Sequence, residues 1–166
     1  KRLVRARKIL RQNHIQFEIP NEKELEDRLN TVLKTIYLLF NEGYSATNGS
    51  RLIRYELCME AIRLAELIIS HSSFKSNTLV HALLALMLLD ASRFKARQDD
   101  EGNIIEMSKQ DRSKWIQALI NKGLYHLGKI QERRQISFYH VLATISAYYC
   151  SSPNYESTNW GAILSL

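Results

Sequence analysis

One stretch constrains the fold of this 166-residue chain more than any other. Residues 77–91 are apolar at nearly every position, so a helix built from them has no polar face. Such a helix must be covered on all sides by other elements. Its longest apolar run, Leu79 to Leu89, is interrupted by His81 and is too short to span a bilayer. The stretch predicts the central, most buried helix of a protein built from several helices, with no membrane segment.

The rest of the chain repeats apolar residues at helical spacing and holds only two prolines and six glycines. Two capping boxes mark helix starts, Asn21 with Glu24 and Ser108 with Asp111. Residues 94–107 break the helical pattern and predict a short hairpin or an ordered loop. We therefore predict an all-α fold of stacked helical hairpins. Its first helix covers 1–13, and later helices start near residues 21, 50, 77, 108, 137 and 159.

The stretch Tyr37–Ala46 predicts a helix end followed by a turn. Its first half is the end of an apolar stripe, and Asn41-Glu42-Gly43 follows. We expect Gly43 to adopt the left-handed conformation that ends many helices, with Tyr44 covering the helix end. Ser50 is then the expected cap of the third helix.

The net charge of +6 is concentrated at the N-terminus. Six basic residues fall within the first eleven positions, and the chain beyond residue 20 is nearly neutral. One interpretation is a solvated helix whose arginines lie over its own apolar stem. The other is a helix that contacts nucleic-acid phosphates. No aromatic residue lies among these basic residues, so the second interpretation predicts backbone contact without base recognition.

The chain shows no recognisable catalytic or metal-binding pattern. Cys58 and Cys150 lie far apart, which fits a reduced cytosolic protein without a disulfide or metal framework. His81 is expected to be a buried, hydrogen-bonded histidine. Phosphate-binding loops, nucleophile elbows and paired-carboxylate motifs are absent from the sequence. We therefore expect a protein that is not an enzyme and needs neither cofactor nor metal.

Two blocks of sequence resemble a known family. The blocks Leu39–Tyr44 and Gln110–Trp115 are similar to the long C-terminal extension of one group of bacterial extracytoplasmic-function (ECF) sigma factors. Leu57–Leu64 and Leu83–Asp90 also match, in the right order, and residues 1–10 look like the end of the recognition helix of sigma region 4. The resemblance implies the last helix of region 4 over 1–13, a linker over 14–20 and the helical extension over 21–166. Because the chain begins without methionine and ends within a helical pattern, we expect it to be part of a longer protein, with the extension cut short.

The resemblance implies a role in transcription initiation. The whole protein would bind core RNA polymerase and direct it to promoter DNA through sigma regions 2 and 4, in the cytoplasm, while the extension regulates that activity. Region 2 and the base-reading part of region 4 are missing here, so only Lys1, Arg2 and Arg5 are expected as phosphate contacts. A regulatory contact surface is predicted from two groups of side chains: Asn41, Glu42, Tyr44, Asp111, Arg112 and Trp115.

Two other functions remain open from the sequence. The chain could be a helical protein-interaction scaffold unrelated to transcription. It could also be a small-molecule sensor that holds its ligand between helices beside His81 and Tyr44.

Overall fold

The computed structural model describes residues 2–13, 21–45, 53–130 and 136–166, and these form an all-helical protein. Their α-helices are α1 (Arg2–Gln12), α2 (Glu22–Tyr44), α3 (Tyr55–Ser70), α4 (Thr78–Ala91), α5 (Phe94–Arg97), α6 (Gln117–Gly128), α7 (Phe138–Ser151) and α8 (Trp160–Leu164). Single 3-10 turns lie at Ser72–Phe74, Met107–Lys109 and Arg112–Lys114. The predicted fold class is confirmed. None of the helices in the described ranges is long and apolar enough to cross a membrane.

The chain divides into two compact units, Lys1–Asn30 and Thr31–Leu166. The first unit contains α1 and the start of α2. The capping box there forms as predicted: the Asn21 amide donates to Glu24 Oε2 at 3.0 Å, and the Glu24 amide donates to Asn21 Oδ1 at 3.1 Å. These two bonds satisfy amides that have no partner within the helix and so fix where α2 begins.

The centre of the second unit is α4, as its apolar sequence predicts. Eleven of its fourteen residues are buried. It packs against α3, α6 and α7. The contact with α6 is close because Gly123 has no side chain: a Cβ at this position would lie 2.7 Å from Leu89 Cγ and 3.3 Å from the Ala85 carbonyl oxygen. The helix without a polar face is thus enclosed by its neighbours.

Several local predictions are confirmed. Asn77 Oδ1 accepts from the amides of Leu79 and Val80 at the start of α4, and Ser137 and Asn159 cap α7 and α8. Residues 94–107 contain an ordered loop with an antiparallel bridge between Gln98 and Ile104. Its turn places Gly102 at a φ of 88°, a conformation that glycine adopts without steric cost.

The predicted turn at Asn41-Glu42-Gly43 is wrong, because α2 continues to Tyr44 and contains Gly43. Gly43 is needed here for close packing instead. A Cβ would lie 2.6 Å from Cys58 Sγ and 2.9 Å from both the Arg54 carbonyl oxygen and the Cys58 amide nitrogen. The start of α3 therefore packs directly on the end of α2. This third helix begins at Tyr55 after Arg54, whereas the predicted cap, Ser50, lies outside the described residues, as do Lys1 and the linker 14–20.

The predicted helix start at Ser108 is also wrong. Two 3-10 turns occupy this region, and α6 begins only at Gln117. Asp111 caps the second turn: its Oδ1 accepts from the Ser113 amide at 2.9 Å and from the Ser113 hydroxyl at 2.6 Å. This local bonding competes with a helix, as is common for aspartate. The chain then extends at Trp115, whose side chain is buried.

Candidate functional site

The end of α2 is joined to α4 and α5 by Tyr44. Its hydroxyl accepts a hydrogen bond of 2.9 Å from Arg93 Nη2, and its carbonyl oxygen accepts one of 2.9 Å from Arg97 Nη1. The Arg97 guanidinium lies 3.6 Å from the centroid of the Tyr44 ring, a cation–π contact. The Tyr44 ring also stacks on Phe40 at 5.5 Å and lies 5.8 Å from the ring of Phe94. Tyr44 therefore holds two arginines through its hydroxyl, its ring and its backbone.

Arg93 is paired with a buried acid. Its Nη2 lies 2.6 Å from Asp90 Oδ1, and the two side chains are only 7% and 17% exposed. The same carboxylate oxygen accepts from the Ser146 hydroxyl of α7 at 3.0 Å. Buried charges need partners of this kind, because removing them from water is costly. We call Tyr44, Asp90, Arg93, Arg97 and Ser146 the Asp90–Arg93 cluster.

Burial keeps two groups at this end of the protein, Tyr44 and Cys58, in their protonated forms. Burial, and then the negative charge of Asp90, raise the pKa of Tyr44 to about 12, so its hydroxyl stays neutral. Burial likewise raises the pKa of Cys58 to about 12. Its thiol is therefore protonated and donates to the Phe40 carbonyl oxygen at 3.5 Å. A protonated thiol is a poor nucleophile.

The second block, Gln110–Trp115, caps the end of α7. Arg112 Nη1 donates to the carbonyl oxygens of Tyr149 at 2.7 Å and Ser152 at 2.5 Å. These oxygens lie at or just beyond the C-terminal turn of α7, where carbonyls lack helical partners and a positive charge is favourable. The guanidinium also lies 4.5 Å from the Trp115 ring centroid. Arg112 is thus held by internal contacts and is only half exposed.

The first block and the residue that follows the second block both bond one short segment, Ser92-Arg93. Tyr44 of the first block bonds Arg93. Directly after the second block, the Ile116 amide donates to the Ser92 carbonyl oxygen at 2.8 Å. Blocks more than sixty residues apart in sequence therefore lie on either side of the same turn after α4.

The predicted contact residues differ in exposure. Asn41, Glu42 and Tyr44 are half-buried at the end of α2, Asp111 is exposed, and Trp115 is in the core. Their role in binding a partner stays a prediction. Of the predicted phosphate contacts, Arg5 is exposed on α1, while Lys1 and the Arg2 side chain lie outside the description.

A pair of buried histidines lies at the opposite end of α4. His81 of α4 and His126 of α6 are 6% and 7% exposed, and their Nδ1 atoms are 2.8 Å apart. His81 Nε2 lies 3.1 Å from the Lys75 carbonyl oxygen, which can only accept, so this nitrogen carries a proton. In the neutral pair, His81 Nδ1 then accepts from His126 Nδ1–H. The prediction of a buried, hydrogen-bonded His81 is confirmed.

The histidine pair makes the stability of the protein depend on pH. Burial, and then the nearby His81 and Lys122, lower the pKa of His126 to about 4, whereas unfolded histidine titrates near 6.5. Between pH 4 and pH 6.5, residue 126 therefore binds a proton in the unfolded chain but not in the folded one. The free energy of unfolding should therefore fall by about 1–2 kcal/mol as the pH drops from 6.5 to 4.

Urea unfolding of the protein and of His126→Gln at pH 7, 5.5 and 4.5 tests this prediction. Glutamine can still donate to His81 but does not titrate. Its stability should fall less steeply over this range. Equal slopes for the two proteins would contradict the assignment of the effect to His126.

Most of the polar residues that contact one another in the fold are not predicted from the sequence. Asp90, Arg93, Arg97, Ser146 and His126 were not singled out. The acid and base at positions 90 and 93, directly after an apolar run, are a usable signal, because charges there must be partly buried. Nothing in the local sequence links His126 to His81, forty-five positions earlier.

Comparison with known proteins places the chain among proteins without an assigned function. Residues 28–131 match the model of a family described as "Family of unknown function (DUF6596)". An uncharacterized protein of Rhizobium meliloti (strain 1021) is 36% identical over 162 residues, which cover 98% of this chain. The chain spans 38% of the length of that relative. No solved structure matches.

Proposed function

The chain belongs to the family of unknown function DUF6596, and we propose that it is the regulatory C-terminal extension of an ECF-type RNA polymerase sigma factor. Under this proposal α1 is the last helix of sigma region 4. Core RNA polymerase and promoter DNA are partners of the whole protein, which acts in transcription initiation. The relative, of which this chain spans 38%, is long enough to hold such further regions.

The observation that carries the proposal is that Tyr44 of the first block and Ile116, directly after the second block, both bond the segment Ser92-Arg93. The first block provides Tyr44 to the Asp90–Arg93 cluster, and the second provides Arg112 to the end of α7. This supports assignment of the resemblance to the extension as a whole, because two blocks that matched by chance would not be expected to lie beside the same turn.

The chemistry of α1 supports the first part of the proposal. Arg5, Arg7, Lys8 and Arg11 are exposed and form a positive surface suited to DNA phosphates. Val4 and Ile9 are also exposed, by 71% and 55%. Such an apolar stripe normally packs on another element. The other helices of a sigma region 4 domain would provide that partner.

Run-off transcription with core RNA polymerase tests the proposal. The complete protein is compared with a version that ends after Gln12. We expect truncation to change transcription at least threefold in either direction while core binding persists. Failure of both proteins to support initiation would overturn the sigma assignment and favour an interaction scaffold unrelated to transcription. Equal transcription by both would overturn the regulatory role.

A point variant makes the same test without truncation. Lys114 is exposed and lies in sequence between Arg112 and Trp115, two residues of the predicted contact surface. Lys114→Glu should change the regulated level of transcription, whereas Lys34→Glu, an equal charge reversal on an exposed part of α2, should not. Equal levels of regulated transcription with the two variants would show that Lys114 and its surroundings are not part of the contact surface.

A further inference from the structure

A cleft of ≈ 740 Å³ lies beside the His81–His126 pair. Its walls come from the end of α3, the turn before α4, the first turns of α4 and the last turns of α6. Among the described residues that line it are two lysines, three hydroxyl groups and no carboxylate: Lys75, Ser76, Thr78, Tyr125, His126 and Lys129. The size is typical of pockets for small metabolites.

The floor of the cleft contains a buried group with unused bonding capacity. In the neutral pair, His126 uses Nδ1–H to bond His81, so its Nε2 carries a free lone pair. His126 is 93% buried and lines the cleft, and no protein donor reaches its Nε2 among the described residues. Because His126 lines the cleft, a bound molecule with an O–H or N–H group can donate to this nitrogen.

The fold anchors the turn that carries one cation of the cleft and places the side chain of the other against an aromatic ring. The His81 ring is bonded to the Lys75 carbonyl oxygen, which anchors the turn that carries this lysine. On the other wall, Lys129 Nζ lies 4.9 Å from the centroid of the Tyr125 ring. The nearest acid of α3, Glu66, is occupied in an ion pair with Lys122. Among the described residues, no carboxylate is paired with Lys75 or Lys129, so we expect their positive charge to attract an anionic ligand.

We propose that this cleft binds a small anionic metabolite whose phosphate or carboxylate group lies between Lys75 and Lys129. The Thr78 and Ser76 hydroxyls can donate to the same anionic group, and a hydroxyl or amine of the ligand donates to His126 Nε2. This site is independent of the sigma assignment and would give the domain a small-molecule input.

Titration with inorganic phosphate and, separately, with malate, whose hydroxyl can donate to His126 Nε2, tests the site and distinguishes the two anionic groups. The chain is followed by nuclear magnetic resonance at pH 7.5 and constant ionic strength, with chloride as the compensating anion. We expect saturable binding of one of the two anions and movement of the His126 ring nitrogen signals. Lys75→Gln and Lys129→Gln should each weaken binding at least fivefold. Lys95→Gln, an equal loss of charge at an exposed position of α5, should not.

Three results would overturn the proposal. The first is the absence of saturable binding for both anions. The second is equal weakening by all three lysine variants, which would indicate adventitious attraction to net charge. The third is saturable binding that leaves the His126 ring signals unmoved. A folded spectrum for each variant confirms that lost binding is not lost structure.

Discussion

Replacing Asp90 with alanine is expected to lower the free energy of unfolding by about 3–5 kcal/mol. The carboxylate lies 2.6 Å from Arg93 Nη2 and also accepts from Ser146, within the cluster that joins α2, α4, α5 and α7. Without the carboxylate, the buried guanidinium keeps one hydrogen-bond partner among the described residues, the Tyr44 hydroxyl. Arg93 Nε has no hydrogen-bond partner there even in the unaltered protein. Chemical unfolding followed by circular dichroism measures the effect.

Two further variants separate the ion pair from ordinary packing. Arg93→Met removes the buried cation and keeps most of the side-chain volume. The double variant Asp90→Ala/Arg93→Met should lose less stability than the sum of the two single variants, by more than about 1 kcal/mol, because neither charge is then left alone. Glu60→Ala breaks an exposed ion pair with Arg63 at 2.7 Å and should change little. Additive single effects, or an Asp90→Ala effect as small as that of Glu60→Ala, would contradict the role assigned to the pair.

The part of the fold that could be predicted from sequence is the part set by local chemistry. The apolar pattern of residues 77–91 identified the central helix, because no other arrangement buries such a helix on all sides. Asn21 with Glu24 marked the start of α2 correctly, since the two bonds of a capping box depend only on neighbours in sequence.

The polar sites could not be predicted, because their partners are distant in sequence. Tyr44 meets Arg93 and His81 meets His126 only after the helices have packed. The error at Ser108 has a different origin. The same Ser-x-x-Asp pattern fits a helix cap and a series of short turns, and the bond from the Ser113 amide to Asp111 decides for the turns.

Gly43 shows a third kind of ambiguity, because glycine has two structural uses. It permits a left-handed backbone conformation, and it permits another segment of the protein to approach the backbone closely. After an apolar helix and two polar residues, the first use was predicted. The structure shows the second, with the start of α3 lying against the place where a Cβ would be. A sequence contains no mark that separates the two cases.

Substitution at Gly43 does separate them. Gly43→Ala should lower the free energy of unfolding by about 2–3 kcal/mol, although alanine is favoured over glycine in a helix by about 1 kcal/mol. Two of the three atoms that its Cβ would meet, the Arg54 carbonyl oxygen and the Cys58 amide nitrogen, belong to the backbone and cannot rotate away. The matched control is Gly128→Ala in α6. A Cβ at this position would have no described atom within 4 Å apart from its chain neighbours and its own helix, so the change should be neutral or stabilising.

A second substitution at the same position identifies the physical cause. Asparagine tolerates the left-handed conformation better than alanine does, so at a left-handed cap Gly43→Asn would be the milder change. At a position of close approach only size matters, and Gly43→Asn should be more damaging than Gly43→Ala. Chemical unfolding of the two variants gives their order directly. The order Asn milder than Ala would restore the turn at Gly43 and contradict the packing of α3 against α2.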